Sequence, residues 1–218
     1  MPKRLKILGL HGFRTNGNFL HWQLTQYSKF ERELSDLVEI ICLDAPNPAS
    51  GPIPDGVDNI IGGPYFEWWR ASRKDESKTY QYIGLQESLT YILDFVRLHG
   101  PFDGVLGFSQ GGTMAGILAA LLQSGKITMD PAPRLCIIIA GLPSRDLQHD
   151  QLYEEPIRVP SLFIWGERDP TAPYTKRLAD KFADPVRLSH PGGHVVPPLE
   201  EVQLERIRRF LAAQQSRL

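Results

Sequence analysis

The sequence of 218 residues has few cysteines, almost no net charge and no long apolar run. Its two cysteines, Cys42 and Cys136, each lie in a short apolar stretch, so we interpret them as core residues rather than a disulfide framework. Free thiols are typical of a reducing compartment, and the cytoplasm is the expected location. A net charge of −1 gives no electrostatic basis for binding nucleic acid or an anionic membrane.

Apolar runs fall far short of the roughly 18 residues of a membrane-spanning helix, so no transmembrane segment is expected. The N-terminal run Leu5–Leu10 follows a basic start but ends at once in His11. It fits a buried first strand better than a signal peptide. Hydrophobic residues make up 42% of the chain, which is ordinary for a globular protein of this length.

Short apolar runs alternate with amphipathic segments along most of the chain. The predicted strands are 5–10, 38–43, 102–108, 135–140, 161–165 and 186–188, and the predicted helices are 19–37, 82–99, 109–123, 174–182 and 199–211. Continuous apolar strands that alternate with helices are typical of a parallel sheet covered on both faces. We therefore expect an α/β fold, a three-layer α/β/α sandwich with a mostly parallel central sheet, as a single domain over residues 1–218.

The stretch Gly107-Phe108-Ser109-Gln110-Gly111 joins a predicted strand to a predicted helix. Gly-x-Ser-x-Gly in that setting is typical of a nucleophile elbow, a sharp turn that presents a serine at the start of a helix. The two glycines stand where a side chain would collide with the tight turn. Taken alone, the five residues would also fit an ordinary turn, so the proposed role of Ser109 depends on its partners.

A serine hydroxyl needs a base, and the base needs an orienting carboxylate. In elbow-type hydrolases these partners follow the serine in the order acid, then histidine, at the carboxyl ends of strands. Asp169 follows strand 161–165 and His194 follows strand 186–188. Glu167 and His190 are the competing candidates. The plainer interpretation of each position is a turn or loop residue, and a metal site at His190 and His194 is not expected.

Two backbone N–H groups are candidates for stabilising the oxyanion of an acyl-transfer reaction. One belongs to Gln110, the residue after the serine, and the other to Phe13, in the loop after the first strand. Gly12 permits the tight turn that would aim the Phe13 N–H at the site. We interpret His11 as a residue that shapes this loop rather than as a base.

An irregular, aromatic-rich insert spans about residues 46–80. Its prolines and glycines interrupt regular structure, whereas its aromatic side chains argue against disorder. These aromatics either pack onto the domain or line a pocket. The candidate substrate-binding residues are Phe13, Tyr65, Phe66, Trp68, Trp69 and Leu142, and such an apolar lining favours medium or long acyl chains.

Taken together, Leu10-His11-Gly12-Phe13, the elbow, Gly166-Glu167-Arg168-Asp169-Pro170 and Gly192-Gly193-His194 resemble an α/β-hydrolase. More narrowly, with the aromatic stretch Tyr65-Phe66-Glu67-Trp68-Trp69, they resemble the family serine hydrolases (FSH), which include the ovarian-cancer-associated-gene-2-type esterases. The elbow is also similar to that of acyl-protein thioesterases, which typically lack such an insert.

The resemblance implies a carboxylesterase or thioesterase with Ser109, Asp169 and His194 as its triad. It implies no metal and no organic cofactor, and a small acyl ester or thioester as substrate. Two alternatives stay open: an acyl-protein or carrier thioesterase, and a non-catalytic, hydrolase-like receptor for a small molecule. Nothing in the sequence indicates the oligomeric state.

Overall fold

The computed structural model describes residues 3–74 and 79–216, and within them it contains ten β-strands and six α-helices. The strands are β1 (Leu5–Leu10), β2 (Val38–Leu43), β3 (Asn47–Pro48), β4 (Phe66–Glu67), β5 (Arg70–Lys74), β6 (Thr79–Ile83), β7 (Gly104–Phe108), β8 (Leu135–Ile139), β9 (Ser161–Gly166) and β10 (Val186–His190). The helices are α1 (Gly17–Trp22), α2 (Phe30–Glu33), α3 (Leu85–His99), α4 (Gln110–Gln123), α5 (Ala172–Ala179) and α6 (Glu201–Gln215).

Six of these strands form one sheet in the order β10-β9-β8-β7-β1-β2, and every neighbouring pair is parallel. The predicted parallel α/β sheet is confirmed. Strand β7 lies inside the sheet, and all five of its residues are buried. Because parallel strands end at the same edge, the segments that follow β1, β7, β9 and β10 meet there.

Helices cover both faces of the sheet, which gives the predicted three layers. Adjacent residues of β7 show the two faces, because successive side chains of a strand point in opposite directions. Val105 belongs to a buried cluster that includes residues of α3, α4 and α5. Leu106 belongs to a second cluster, with residues of α1, α2 and α6. None of the helices in the described part of the chain is long and apolar enough to cross a membrane.

The predicted helix over 19–37 is wrong as a continuous element. The segment contains α1, a π-helix at Gln23–Tyr27 and α2. Ser28 marks the interruption: its hydroxyl donates to the carbonyl of Leu24 and accepts the N–H of Phe30. Lys29 then adopts a φ of 57°. Local hydrogen bonds of this kind compete with the helical pattern, which apolar spacing alone does not reveal.

The start of one helix differs from the prediction, and another helix has an apolar residue that faces solvent. Helix α3 begins at Leu85 rather than at residue 82, because Tyr82 belongs to β6 and Gly84 turns the chain with a φ of 88°. In α6, Val202 is 70% exposed although it is apolar. At 100° per residue it lies about 130° around the helix from the centre of the stripe formed by Ile207, Phe210 and Leu211.

The insert at 46–80 is less irregular than expected. Strands β3 and β4 pair antiparallel, and so do β5 and β6, which form a hairpin beside the edge where the parallel strands end. Alternating Thr79-Tyr80-Gln81-Tyr82-Ile83 is a β-type pattern, and this signal could have located β6. Residues 75–78, within the predicted insert, lie outside the described residues.

Candidate active site

Ser109 lies at the turn between β7 and α4. Its backbone has φ 54° and ψ −113°, a conformation that costs energy for any residue other than glycine. Its N–H donates to the carbonyl of Ile139 at 2.9 Å, and its carbonyl accepts the N–H of Thr113 at 2.9 Å. A Cβ added at Gly107 would collide with the backbone of α4, and one added at Gly111 would collide with the carbonyl of Leu10. The turn therefore needs glycine at both positions.

A chain of hydrogen bonds joins Ser109, His194 and Asp169. Ser109 Oγ and His194 Nε2 are 2.8 Å apart, and His194 Nδ1 and Asp169 Oδ2 are also 2.8 Å apart. Because a carboxylate can only accept, His194 carries its proton on Nδ1, and Nε2 accepts from the serine hydroxyl. The structure thus brings together the three residues that the sequence singled out, from segments 85 and 25 residues apart.

The carboxylate of Asp169 is fully buried and has two partners besides His194. Its Oδ1 accepts the backbone N–H of Thr171 at 2.7 Å and the hydroxyl of Thr171 at 2.8 Å. Burial acts to raise the pKa of Asp169, but the hydrogen bonds from Thr171 and His194 outweigh it, so the pKa is lowered. Asp169 therefore remains ionised beside the imidazole. The competing Glu167 instead accepts the hydroxyl of the half-buried Ser189.

The loop that carries His194 is fastened to the loop that carries Asp169. The N–H groups of Glu167 and Arg168 donate to the carbonyls of His190 and Gly192 at 2.8 and 3.0 Å, and Arg168 Nε donates to the carbonyl of Pro191. His190, the competing histidine, is buried, and its Nδ1 accepts the N–H of Gly192 at 3.1 Å. It lies at the base of this loop and shapes it.

The loop after β1 packs directly against the elbow. A Cβ on Gly12 would come within 3.1 Å of the Phe108 ring. His11 Nδ1 donates to the carbonyl of Gly12 at 2.8 Å, and its Nε2 accepts the N–H of Ala45 at 3.0 Å. Burial lowers the pKa of His11 to about 4, so the imidazole is neutral at pH 7. Within the described residues, no protein acceptor takes the N–H of Phe13 or that of Gln110.

The side chain of Gln110 connects the elbow to the aromatic segment, a contact that the sequence analysis missed. Its Oε1 accepts the N–H of Trp68 at 3.0 Å, and its Nε2 donates to the carbonyl of Trp69 at 2.8 Å. Trp68 is fully buried, and its indole N–H donates to the carbonyl of His11 at 2.9 Å. One glutamine thus holds the backbone of two consecutive residues of the insert.

A cavity of about 290 Å³ opens beside Ser109. Three predicted substrate-binding residues, Phe13, Trp69 and Leu142, lie on its wall. The other lining residues are Arg14, Arg70, Ala71, Tyr82, Ser109, Gln110, Thr113, Pro143 and Arg145. Trp69 stacks on Tyr82 with ring centres 4.7 Å apart, and the N–H of Leu142 donates to Thr113 Oγ1.

The other three predicted substrate-binding residues lie away from this wall. Trp68 packs inside the domain, because its indole N–H reaches the backbone of the β1 loop. Phe66 packs against the core cluster from β4, and Tyr65 donates its hydroxyl to the carbonyl of Ile61. Among residues 3–74 and 79–216, no group of three His, Cys, Asp or Glu side chains could hold a metal ion.

Comparison with known proteins agrees with this geometry. The family model described as serine hydrolase (FSH1) matches residues 1–205. The chain belongs to the FSH1 family of serine hydrolases. Esterase OVCA2 of Xenopus tropicalis is 34% identical to this FSH1 hydrolase, over 95% of the chain and 94% of the relative. Esterase OVCA2 of Homo sapiens is 29% identical, over 94% of the chain and 96% of the relative.

Solved structures identify the fold of this FSH1 hydrolase as that of the α/β-hydrolases. Zea mays acyl-protein thioesterase 2 superimposes with a TM-score of 0.60 at 18% identity, over 99% of this chain and 95% of that one. Esterase PE8 does so with a TM-score of 0.58 at 20% identity, over 97% and 93%. The predicted α/β-hydrolase fold and the predicted family are confirmed, and the chain is an enzyme of the serine hydrolase type.

Proposed function

We propose that this enzyme hydrolyses acyl esters through an acyl-enzyme intermediate, with Ser109 as nucleophile, His194 as base and Asp169 as the orienting carboxylate. The observation that carries the proposal is the continuous hydrogen-bond chain from Ser109 Oγ through the imidazole to the buried Asp169. Each link is 2.8 Å long, within the reach required for proton transfer between nucleophile and base.

In the first step, His194 Nε2 takes the hydroxyl proton while Ser109 Oγ attacks the ester carbonyl carbon. The resulting oxyanion accepts from the N–H groups of Phe13 and Gln110. The tetrahedral intermediate then collapses: the C–O bond to the leaving group breaks, and His194 gives its proton to the departing alcohol. Water attacks the acyl-enzyme by the same route, with His194 again as base, and releases the carboxylic acid and the free serine.

Two structural features support the electrostatic part of this proposal. Ser109 immediately precedes α4, whose first N–H groups have no acceptor within the helix and stabilise negative charge. The ionised Asp169 stabilises the imidazolium that forms when His194 is protonated. Loss of one oxyanion donor costs about 3 kcal/mol of transition-state stabilisation in comparable enzymes, so a precise turn at Gly12 matters.

The apolar part of the cavity wall, formed by Phe13, Trp69, Tyr82, Leu142 and Pro143, supports an acyl chain as the bound group. We propose medium or long chains, since each buried CH₂ contributes about 0.8 kcal/mol. The same chemistry cleaves thioesters. A chain-length series of p-nitrophenyl esters and matched acyl thioesters, compared by kcat/KM, tests both points. A flat profile over chain length would contradict the apolar pocket.

Three variants test the residue assignments. Ser109→Ala should lose activity and fluorophosphonate labelling, and His194→Gln should lose activity while keeping its fold by circular dichroism. His190→Asn is the matched control, because the amide oxygen can still accept the N–H of Gly192. It should retain activity. Undiminished turnover in Ser109→Ala would overturn the nucleophile assignment, and a single slow turnover with retained product would favour the receptor alternative.

We also propose a cytoplasmic location. Both cysteines are free thiols, and Cys136 is buried among apolar residues, where it behaves as a small hydrophobic side chain. Fractionation of cells that express the tagged protein would test the location.

A further inference from the structure

Three arginines line the cavity beside Ser109, and they differ in the ion-pair and hydrogen-bond partners of their guanidinium groups. Arg14 is fully engaged: its Nε lies 2.8 Å from Glu67 Oε2, and its other nitrogens donate to Pro52 and Ser50. Arg70 and Arg145 are exposed on the surface of the cavity mouth. Neither has a carboxylate within ion-pairing distance in the described part of the chain.

Three acidic side chains around the described cavity residues already have hydrogen-bond partners within the protein. Glu67 is buried against Arg14, and Asp169 is buried against Thr171 and His194. Asp146 accepts the backbone N–H of Tyr82 at 3.1 Å and that of Gln148 at 3.1 Å. The wall of the cavity therefore carries two guanidinium groups that form no ion pair with any side chain of residues 3–74 or 79–216.

Arg145 is also held in position. Its guanidinium carbon lies 4.0 Å from the centre of the Tyr80 ring, a cation–π contact, and its backbone N–H donates to the hydroxyl of Tyr82 at 2.8 Å. Tyr82 in turn stacks on Trp69, on the cavity wall. Arg70 lies at the start of β5, where it pairs in register with Ile83 of β6. Tyr80 and Tyr82 belong to β6, so the hairpin of β5 and β6 carries Arg70 and contacts Arg145.

We infer that the substrate carries an oxyanionic group, a carboxylate or a phosphate, which Arg70 and Arg145 bind while Ser109 attacks the ester. The inference rests on the proposed function and narrows its substrate class to anionic acyl esters. Planar guanidinium groups suit such oxyanions because two parallel N–H donors match two oxygens. Both arginines line the same cavity as Ser109, so the anion and the ester belong to neighbouring parts of the substrate.

The test compares anionic esters with neutral esters of the same shape. On the acyl side, mono-p-nitrophenyl adipate is compared with p-nitrophenyl hexanoate. On the leaving-group side, 4-hexanoyloxybenzoate is compared with phenyl hexanoate. For each pair, the measured quantity is the ratio of the two kcat/KM values in wild type, in the double variant Arg70→Gln/Arg145→Gln and in Arg73→Gln. Arg73 is the matched control: it is exposed on the same strand but does not line the cavity.

We expect the anionic-to-neutral ratio of at least one pair to fall about tenfold in the double variant, as for loss of charge-assisted hydrogen bonds. The responding pair identifies the side of the substrate that carries the anion. Arg73→Gln should leave the ratio unchanged, and added salt should lower the ratio in wild type. The inference is overturned if both ratios stay at the wild-type value in the double variant, or if Arg73→Gln lowers them equally.

Failure of this inference and failure of the proposed function are distinguishable. Hydrolysis that depends on Ser109 but ignores the two arginines would remove the anionic substrate class and leave the acyl-transfer mechanism in place. Hydrolysis that persists in Ser109→Ala would remove the mechanism itself.

Discussion

Gln110→Ala removes the side chain that joins the first turn of α4 to the backbone of the aromatic segment. In the folded protein, Gln110 Oε1 accepts the N–H of Trp68 and Gln110 Nε2 donates to the carbonyl of Trp69. Gln110, Trp68 and Trp69 are 9%, 0% and 4% exposed, so water has little access to the two backbone groups. The substitution therefore leaves one buried donor and one buried acceptor without their partner.

The expected cost follows from those two orphaned groups. A buried polar group that loses its partner costs about 1–3 kcal/mol, so two of them cost about 2–6 kcal/mol. Small shifts of the chain and entry of a water molecule reduce this, and we expect a loss of about 3 kcal/mol in the free energy of unfolding. Such a loss is a large fraction of the 5–15 kcal/mol that is typical of folded proteins.

Gln123→Ala is a closely matched control on the same helix. Gln123 makes the same pair of bonds to a distant backbone: its Nε2 donates to the carbonyl of Pro156 at 2.9 Å, and its Oε1 accepts the N–H of Arg158 at 2.7 Å. These bonds are exposed to solvent, so water replaces the lost amide. We expect a cost below about 1 kcal/mol for this variant.

Urea unfolding, followed by tryptophan fluorescence and by far-ultraviolet circular dichroism, measures both free energies by linear extrapolation. Gln110→Glu adds a second test. Its carboxylate can accept the N–H of Trp68 but faces the carbonyl of Trp69 without a donor, so it should destabilise at least as much as alanine. Equal losses for Gln110→Ala and Gln123→Ala would refute the argument from burial.

Three further outcomes are expected. Arg14→Met leaves the buried Glu67 carboxylate unpaired and should cost about 3–5 kcal/mol in urea unfolding, with much of that loss recovered in Arg14→Met/Glu67→Gln. His11 has a pKa of about 4 when folded, below the 6.5 of an exposed histidine, so the unfolded chain binds the extra proton first. Stability should therefore fall, by up to about 3 kcal/mol, as the pH drops from 6.5 towards 4, and less steeply in His11→Gln. Gly111→Ala places a Cβ against the backbone of β1 and should lower Tm by more than about 10 °C, whereas Gly62→Ala, which meets open space, should leave Tm unchanged.

Local sequence patterns predict most of the fold, and they also predict where Ser109, Asp169 and His194 lie in it. Each of these residues lies in the segment that follows a strand of the parallel sheet, and parallel strands that end at one edge bring such segments together without any knowledge of side-chain packing. The spacing of apolar residues predicts a continuous helix over 19–37, but the hydrogen bonds of the Ser28 hydroxyl interrupt it. The predicted helix over 82–99 is also wrong at Tyr82, which belongs to strand β6.

Contacts between segments that are far apart in the sequence could not be predicted from local sequence patterns. Arg14 and Glu67 are 53 residues apart, and Gln110 and Trp68 are 42 apart. The buried ion pair and the buried hydrogen bonds of the Gln110 amide depend on how the insert crosses the edge of the sheet. The spacing of apolar residues along the sequence does not specify that path. Arg70 and Arg145 reach one cavity for the same reason.

The different positions of the Trp68 and Trp69 side chains follow from the two hydrogen bonds that Gln110 makes to their backbone. Trp68 packs inside the domain, with its indole N–H on the carbonyl of His11, and of these two neighbours only Trp69 lies on the cavity wall. Gln110 fixes which of them does, because it binds the N–H of the first and the carbonyl of the second. The backbone N–H of that same residue is a proposed oxyanion donor. A single residue therefore connects the wall that we propose for the acyl group to the proposed nucleophile Ser109, and side-chain substitutions at position 110 should change stability and acyl-chain preference together.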